Sequence, residues 1–363
     1  MTEFNEKQAR LQALLGAHKL DALFLRRVSS FAWATCGGDS HINTADSYGV
    51  ASLLVTPTAR YLITNNIEAT RLEQEERLGE QRWELRVGQW HEPQTAIAEL
   101  THSLKLGADG PYPGATDLSG ELARLRAALT LEEGARIRML ARLCAEAMDA
   151  TIRAVRPGQT EYQIAGLLAN AAESRGVQAI VNLIATDERI LKFRHPLPTA
   201  KKLEHYAMLV LCGRKYGLVC SATRFVHFGG LPDDLRRKAE AVARVDAAFI
   251  NATRPGISLG EIFHHATTAY AQAGFPDEWT RHHQGGPAGY EPREIVATPD
   301  STGDVSIGQA YAWNPSIAGT KSEDTILVGE NGNEILTAIP DWPTVTVSVD
   351  GQMIERPAIW EIV

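Results

Sequence analysis

The feature that most constrains this chain is an internal repeat. Ala150-Thr-Ile-Arg-Ala-Val-Arg-Pro-Gly-Gln-Thr-Glu-Tyr-Gln-Ile aligns with Ala248-Phe-Ile-Asn-Ala-Thr-Arg-Pro-Gly-Ile-Ser-Leu-Gly-Glu-Ile. Each copy reads as a helix, an Arg-Pro-Gly stop, a new helix, and a closing glycine at Gly176 or Gly274. Proline cannot continue a helix, and glycine tolerates the left-handed backbone that ends one. Thr160 with Gln163, and Ser258 with Glu261, both fit the capping box, in which two side chains satisfy the orphan backbone donors of a new helix. Two such copies predict two helix pairs related by a pseudo-twofold axis and laid on a shared layer of strands.

Strand-rich segments stand where that layer requires them. Tyr206 to Cys212 and Leu218 to Phe228 flank Gly213-Arg-Lys-Tyr-Gly217, a hairpin signal. Ala310 to Asn314, Asp324 to Val328 and Thr344 to Val349 come after the second copy. The expected core is one strongly bent antiparallel sheet with the helix pairs outside it. The repeat fills only the second part of the 363 residues. Before it, a helical period runs from Phe4 to Leu23, with Leu11, Leu14, Leu15, Leu20 and Leu23 on one stripe. Ala22 to Leu25, Val50 to Thr56 and Arg60 to Thr64 read as short buried strands with helical patterns between them, among them Asn66 to Leu78. The Gly/Pro cluster Gly107 to Ala115 and a short amphipathic helix at Leu118 to Leu125 place a boundary near residues 118 to 130. The expected division is 1–122 and 123–363, each part long enough to bury its own core. The fold class is mixed α/β (α+β).

Composition excludes several functions. Thirty-six basic against 44 acidic residues give a formal charge of −8 without blocks of like charge, which argues against nucleic-acid and anionic-membrane partners. The polar, acidic start is not a signal peptide, and no apolar run approaches the ~20 residues of a membrane span. Cys36, Cys144, Cys212 and Cys220 lack metal-binding CxxC spacing and sit in mostly apolar surroundings, as in a reduced, cytoplasmic protein.

Four segments gather polar residues beside Gly or Pro: Phe193-Arg-His-Pro, Cys220-Ser-Ala-Thr-Arg, Arg281-His-His-Gln-Gly-Gly through Glu294, and Trp313-Asn-Pro through Thr325. With the duplicated Arg-Pro-Gly helix pairs and Ser322-Glu-Asp-Thr-Ile-Leu-Val, then Gly332 and Glu334-Ile-Leu-Thr, they give a pattern that resembles the creatinase, aminopeptidase P and prolidase superfamily over the whole chain. The resemblance implies a creatinase-like N-terminal α/β domain, a C-terminal "pita-bread" domain with a curved antiparallel sheet, and a homodimer.

In the peptidases of that superfamily, two Asp, one His and two Glu hold two divalent ions that activate a bridging water. Carried over residue by residue, the first Asp position falls on Leu211 or Cys212, the second on Ser221, the His on His283, and the two Glu on Asn314 and Glu323. Only His283 and Glu323 keep the ligand chemistry. One carboxylate cannot offset two dications, and neither Ser221 nor Asn314 replaces an anionic bridge. The expectation is therefore no metal and no other cofactor, with Cys212, Ser221, His283, Asn314 and Glu323 as vestigial ligand positions; a mononuclear site at His283, Glu323 and Cys212 stays open.

The resemblance places His195 where creatinase uses a His as acid/base. It also places Tyr290 where the peptidases carry a second His, seven residues after the ligand His. His195, His283 and Glu323 are the expected catalytic groups. Tyr290, Arg293, Glu294, Arg224, Asn314, Ser221 and Lys321 are expected to bind substrate. With its acidic ligands gone, such a pocket favours an anionic or carbonyl-bearing ligand. His227, His264 and His265 read as surface or packed residues, and Cys36 and Cys144 as small apolar fillers. A nucleophilic role for Cys212 or Cys220 stays open. Three functions are compatible with this pattern: a metal-independent hydrolase of C–N bonds, a metal-dependent Xaa-Pro peptidase with an atypical site, and a non-catalytic binder of peptide or small ligand.

Overall fold

The computed structural model describes residues 2–92 and 95–363; Met1, which opens the first expected domain, and Pro93 and Gln94 lie outside the described residues. The chain divides into two compact units, Met1–Arg126 with Tyr216–Leu218, and Ala127–Lys215 with Val219–Val363. No helix among the described residues is long and apolar enough to cross a membrane.

In the N-terminal unit a six-stranded sheet runs in the order Glu84–Gly88, Arg60–Asn65, Tyr48–Val55, Ala22–Arg27, Leu106–Ala108, Ala115–Asp117. Tyr48–Val55 is antiparallel to both neighbours, and the other pairs are parallel. The helical period that begins at Phe4 stops short of its expected end. Lys19 takes a left-handed conformation (φ 52°) whose N–H closes on Gly16 and Leu15, so the helix is Glu3–His18. Leu20 lies beyond that cap, and Leu23 belongs to the strand Ala22–Arg27. The stretch from Asn66 to Leu78 is helical only over Ala69–Gln74, and Leu78 instead opens a 3₁₀ turn.

In the C-terminal unit the repeat is realised as two helix pairs, Leu131–Ala154 with Glu161–Glu173 and Asp233–Ala252 with Leu259–Gln272. Their turns match bond for bond. Gly158 N–H donates to Leu203 O and Gly256 N–H to Val305 O, while Thr160 bridges Lys202 and Ser258 bridges Asp304. Both glycines need positive φ, 90° and 85°. The caps differ in one respect: Thr160 and Gln163 close a full capping box, whereas at Ser258 only the side chain's bond from Glu261 N–H is made.

The expected single sheet resolves into two four-stranded sheets and two short hairpins, and Thr344–Val349, expected in the same layer, pairs with Gln352–Pro357 in one of those hairpins. Of the four-stranded sheets, one runs Trp360–Ile362, Leu218–Phe228, Tyr206–Lys215, Gln178–Thr186, and the other Gly285–Ala288, Ala310–Trp313, Asp324–Val328, Asn333–Ile335. Where the two meet, Thr223 N–H reaches Glu323 O at 3.2 Å, but Ser221 N–H bonds the Thr325 hydroxyl instead of a main-chain carbonyl. A side chain in the ladder breaks regular pairing there. The Trp360–Ile362 strand is parallel to its neighbour, so the layer is not purely antiparallel. Gln178–Thr186 is a strand that the hydrophobic pattern did not mark; most of its residues are only half-buried and Gln178 and Asn182 interrupt the apolar run.

Each helix pair buries one face of a sheet. Phe249 stacks on Trp313 at 4.4 Å, with Tyr311, Ile326 and Val328 in the same fully buried cluster. Burying side chains of this size supplies ~1.5–3 kcal/mol each before conformational entropy is subtracted. On the other side, Gly213 lets the first pair approach closely: a Cβ there would meet Cys144 Sγ at 2.5 Å and Val177 Cγ1 at 2.6 Å.

Candidate functional site

Strand pleating sorts the polar residues, because successive side chains point to opposite faces. On Leu218–Phe228, Phe225 packs with Tyr206, Met208 and Val210, so Ser221 and Thr223 share that face with Cys212. Of the two residues open at the first ligand position, Cys212 is the one turned this way, and its Sγ accepts from Ser221 Oγ at 3.1 Å. On the second sheet, Trp313 and Ile326 face the helices. Asn314 and Glu323 therefore face the other way, and the Trp313–Asp324 register sets them beside one another.

Glu323 is the centre of the site. Its Oε1 accepts from Arg293 Nη2 at 2.9 Å; its Oε2 accepts from Thr223 Oγ1 at 2.6 Å and lies 2.7 Å from Lys321 Nζ. Burial works to raise this carboxyl, but Lys321, then Arg293, with the hydrogen bonds from Lys321 and Thr223, outweigh it and hold it down at about 2. Arg293 Nη1 also donates to Ser221 Oγ at 3.3 Å. One guanidinium thus spans Ser221 and Glu323, two of the positions expected from the resemblance to face a metal pair.

The loop that brings Arg293 there is anchored by glycines. A Cβ on Gly286 would lie 2.2 Å from Ile295 O, and Ala297 N–H donates to Gly285 O while Glu294 N–H donates to Pro287 O. Tyr290 and Glu294 hold the same loop. The Tyr290 hydroxyl donates to Glu133 Oε1 at 2.6 Å and the Glu294 carboxylate accepts from Tyr290 N–H at 2.8 Å. The expected role of Tyr290 in substrate binding is corrected accordingly: it is 2% exposed and anchors the loop, while Glu294 is partly buried beside it.

Arg224 is also corrected. Pleating turns it away from Thr223, and its guanidinium bonds Asp324 Oδ1 at 2.7 Å, Thr337 O and Thr223 O. Asp324 shares Arg356 with Asp246, so Arg224 belongs to a buried charge network behind the sheet. Arg293 and Lys321 lie at the site, where both pair with Glu323.

Three imidazoles complete the cluster. The ligand atoms of His195, His282 and His283 all lie within 4.8 Å of one another. His195 Nε2 is 3.0 Å from His282 Nε2, and His282 Nδ1 is 3.2 Å from Ser316 Oγ. Fully buried Glu161 shapes the loop carrying His195, accepting from Thr186 and Thr199 and pairing with Arg189. Arg194 pairs with Glu278, which also accepts from Ala318 N–H. Burial first, then Lys321, lowers His195; burial and Lys321 push His282 down to about 2, and burial and Arg293 push His283 to about 4. All three shifts favour the neutral ring.

His282 had no assigned role in the sequence. Its only signal there was a second His beside the one matched to a ligand, and extended backbone would normally turn two neighbours apart. His227 is packed, with Nδ1 3.0 Å from Gly229 O, and His264 and His265 are exposed. The buried thiols are poor nucleophiles. Desolvation raises Cys212 and, further, Cys220, and pushes Cys144 up to about 12.

A pair of divalent ions does not fit these residues. The single carboxylate already has both oxygens engaged by two cations and a hydroxyl, Ser221 is tied to Arg293, and Cys212 is a protonated thiol. Asn314 is neutral, and its buried Oδ1 has no hydrogen-bond partner among the described residues. Arg293 and Lys321 supply the positive charge at this centre.

Residues 135–330 match the model of metallopeptidase family M24. A peptidase of Staphylococcus aureus (strain MW2), described as uncharacterized, is 27% identical over 235 residues, 61% of this chain and 65% of its own length. The matched stretch thus spans just under two thirds of that relative. The prolidase from Pyrococcus horikoshii OT3 superposes with a TM-score of 0.79 at 17% identity, over 92% of this chain and 98% of that one. The Xaa-Pro dipeptidase from Bacillus anthracis gives 0.78 at 19% identity, over 93% and 98%. Both have the pita-bread architecture expected here. The duplicated helix pairs and the matched stretch agree, and the chain belongs to metallopeptidase family M24.

Proposed function

We propose that this chain is a metal-independent hydrolase that cleaves a C–N bond in a short peptide or small molecule by imidazole acid–base chemistry. The observation that carries this reading is the double ion pair of Glu323 with Arg293 and Lys321, which fills the charge role of a metal pair. Hydrolysis then needs a base for water and an acid for the leaving nitrogen. His195 supplies both. With Nε2 of His195 directed at His282, Nδ1 is the ring nitrogen left for water and substrate. When His195 Nε2–H donates to His282, whose Nδ1–H donates to Ser316 Oγ, Nδ1 of His195 is bare. It takes the proton of the attacking water and returns it to the departing nitrogen. His283 and the net positive charge of Arg293, Lys321 and Glu323 favour the oxyanion of the tetrahedral intermediate.

The neighbours named as a prolidase and an Xaa-Pro dipeptidase make Xaa-Pro dipeptides the first substrates to test, with creatine-like guanidines and cyclic amidines beside them. A cytoplasmic homodimer is part of the proposal. A second reading, a ligand-binding unit without turnover, is favoured by one observation: every oxygen of Glu323 already has a protein partner. Turnover assays on that panel, with and without chelator, test both. Activity that survives chelation supports the hydrolase. Activity that dies with chelator and returns with manganese supports a metal-dependent peptidase, and saturable binding without turnover supports the ligand-binding unit.

A further inference from the structure

The N-terminal unit contains a crevice of about 310 Å³ that the chemistry above does not use. It lies over one face of the sheet and reaches the carboxyl ends of three strands, the end at which open α/β sheets bind ligands. Ala22–Arg27 and Arg60–Asn65 run in one direction, because Tyr48–Val55 is antiparallel to both, and Glu84–Gly88 is parallel to the latter. The crevice is lined by Arg26, Asn65 and Gly88 from the ends of these three strands and by Tyr48 from the start of the reversed one. Phe24 and Ile97 supply an apolar wall.

Among the described residues lining the crevice, Arg26 carries the only charge. A register shift between Leu25 and Arg27 redirects it, as bulges do beside binding sites. The shift is fixed by Asp109, fully buried, whose carboxylate accepts from Arg26 N–H at 2.9 Å and from Arg27 N–H at 2.7 Å. Asp109 therefore serves the main chain and leaves the guanidinium without a carboxylate partner among the described residues. That guanidinium lies over the rings of Tyr48 and Tyr112 at 4.6 and 4.8 Å. Its Nη2 donates to Pro111 O at 2.7 Å, and its Nε is buried without a hydrogen-bond partner among the described residues. A buried N–H with no acceptor costs stability unless a ligand satisfies it. An immobilised guanidinium edge fits a carboxylate in two-pronged fashion.

We propose that this crevice is a binding site for a small monocarboxylate with an apolar body, the size of an N-acylated amino acid. The carboxylate would meet the edge of Arg26, and the body would lie against Phe24 and Ile97. The probes are N-acetyl-L-phenylalanine and its neutral amide, titrated calorimetrically into the full chain. The acid is expected to bind roughly tenfold or more tighter than the amide, and Arg26→Gln to weaken it by roughly tenfold to a hundredfold. Ile97→Trp, which keeps Arg26 and fills the apolar wall, is expected to abolish binding with the circular dichroism spectrum unchanged. Equal binding of acid and amide, binding that Arg26→Gln leaves intact, or no saturable binding of the acid to about 10 mM overturns the proposal. So does binding lost in Arg293→Met and kept in Arg26→Gln, which would assign the carboxylate to the cations of the other unit.

Discussion

The guanidinium of Arg293 lies 2.9 Å from Glu323 Oε1 and also donates to Ser221 Oγ, joining the two sheets' polar residues. Thirty residues separate Arg293 from Glu323 in sequence, and both are almost fully buried. Two cations around one carboxylate leave a far smaller electrostatic load than two dications with one carboxylate would.

Replacing Arg293 by Met tests that relationship. Glu323 would keep Lys321 and Thr223 but lose a charged donor in a buried setting, and such losses cost about 1–3 kcal/mol. The urea midpoint of Arg293→Met is expected to fall accordingly. A variant as stable as wild type would show that the pair contributes nothing.

His195→Ala is expected to lower kcat by ~10²–10⁴, the usual range for a lost general acid/base. His282→Phe removes the partner that orients His195 and is expected to lower kcat by about 10–10² with KM nearly unchanged. If His282→Phe changes KM alone, His282 contacts substrate and does not position His195.

Stability should depend on acid in a predictable direction. Unfolded histidine titrates near 6.5, while His282 is pushed down to about 2 and His283 to about 4 in the fold. Below pH ~6.5 the unfolded chain binds protons that the folded chain refuses, so stability falls as pH drops through the window from ~6.5 toward those folded values. The His282 contribution is about 1.4 kcal/mol per pH unit. Urea midpoints at pH 7.5 and 5.0 measure it, and the difference should shrink in His282→Gln. An unchanged difference would place the buried charge elsewhere.

Much of this was legible in the sequence because its cause is local. Arg156-Pro-Gly158 and Arg254-Pro-Gly256 dictate helix stops, and Thr160 and Ser258 cap the next helices, whatever surrounds them. That Ser221 and Asn314 stand where the resemblance expects carboxylates was equally plain. The contact of Arg293 with Glu323 was not, since it depends on a loop folded back over Gly285 and Gly286. Arg224 and Tyr290 were misplaced for a related reason. A charged or phenolic side chain beside a site is assigned to the site by proximity, while pleating and a distant partner, Asp324 or Glu133, decide where it goes. The strand Gln178–Thr186 escaped because half-burial weakens its apolar pattern.

The last prediction reverses the substitution chemistry. If Arg293 and Lys321 supply the charge of a lost metal pair, returning carboxylates should return affinity for metal. Ser221 and Asn314 stand on the same face as Glu323, at two of the former ligand positions, and Arg293 bonds both Ser221 and Glu323. The triple variant Ser221→Asp, Asn314→Glu, Arg293→Ser would place three carboxylates and His283 around the space the guanidinium vacates. It is expected to bind at least one manganese ion per chain in equilibrium dialysis, with a thermal midpoint that rises when manganese is added, because a ligand of the folded state stabilises it. Wild type is expected to show neither effect. Manganese bound equally by both chains, and lost from wild type on mutation of Glu323, would mean that the cations yield to a metal, and the metal-independent reading would fall with them.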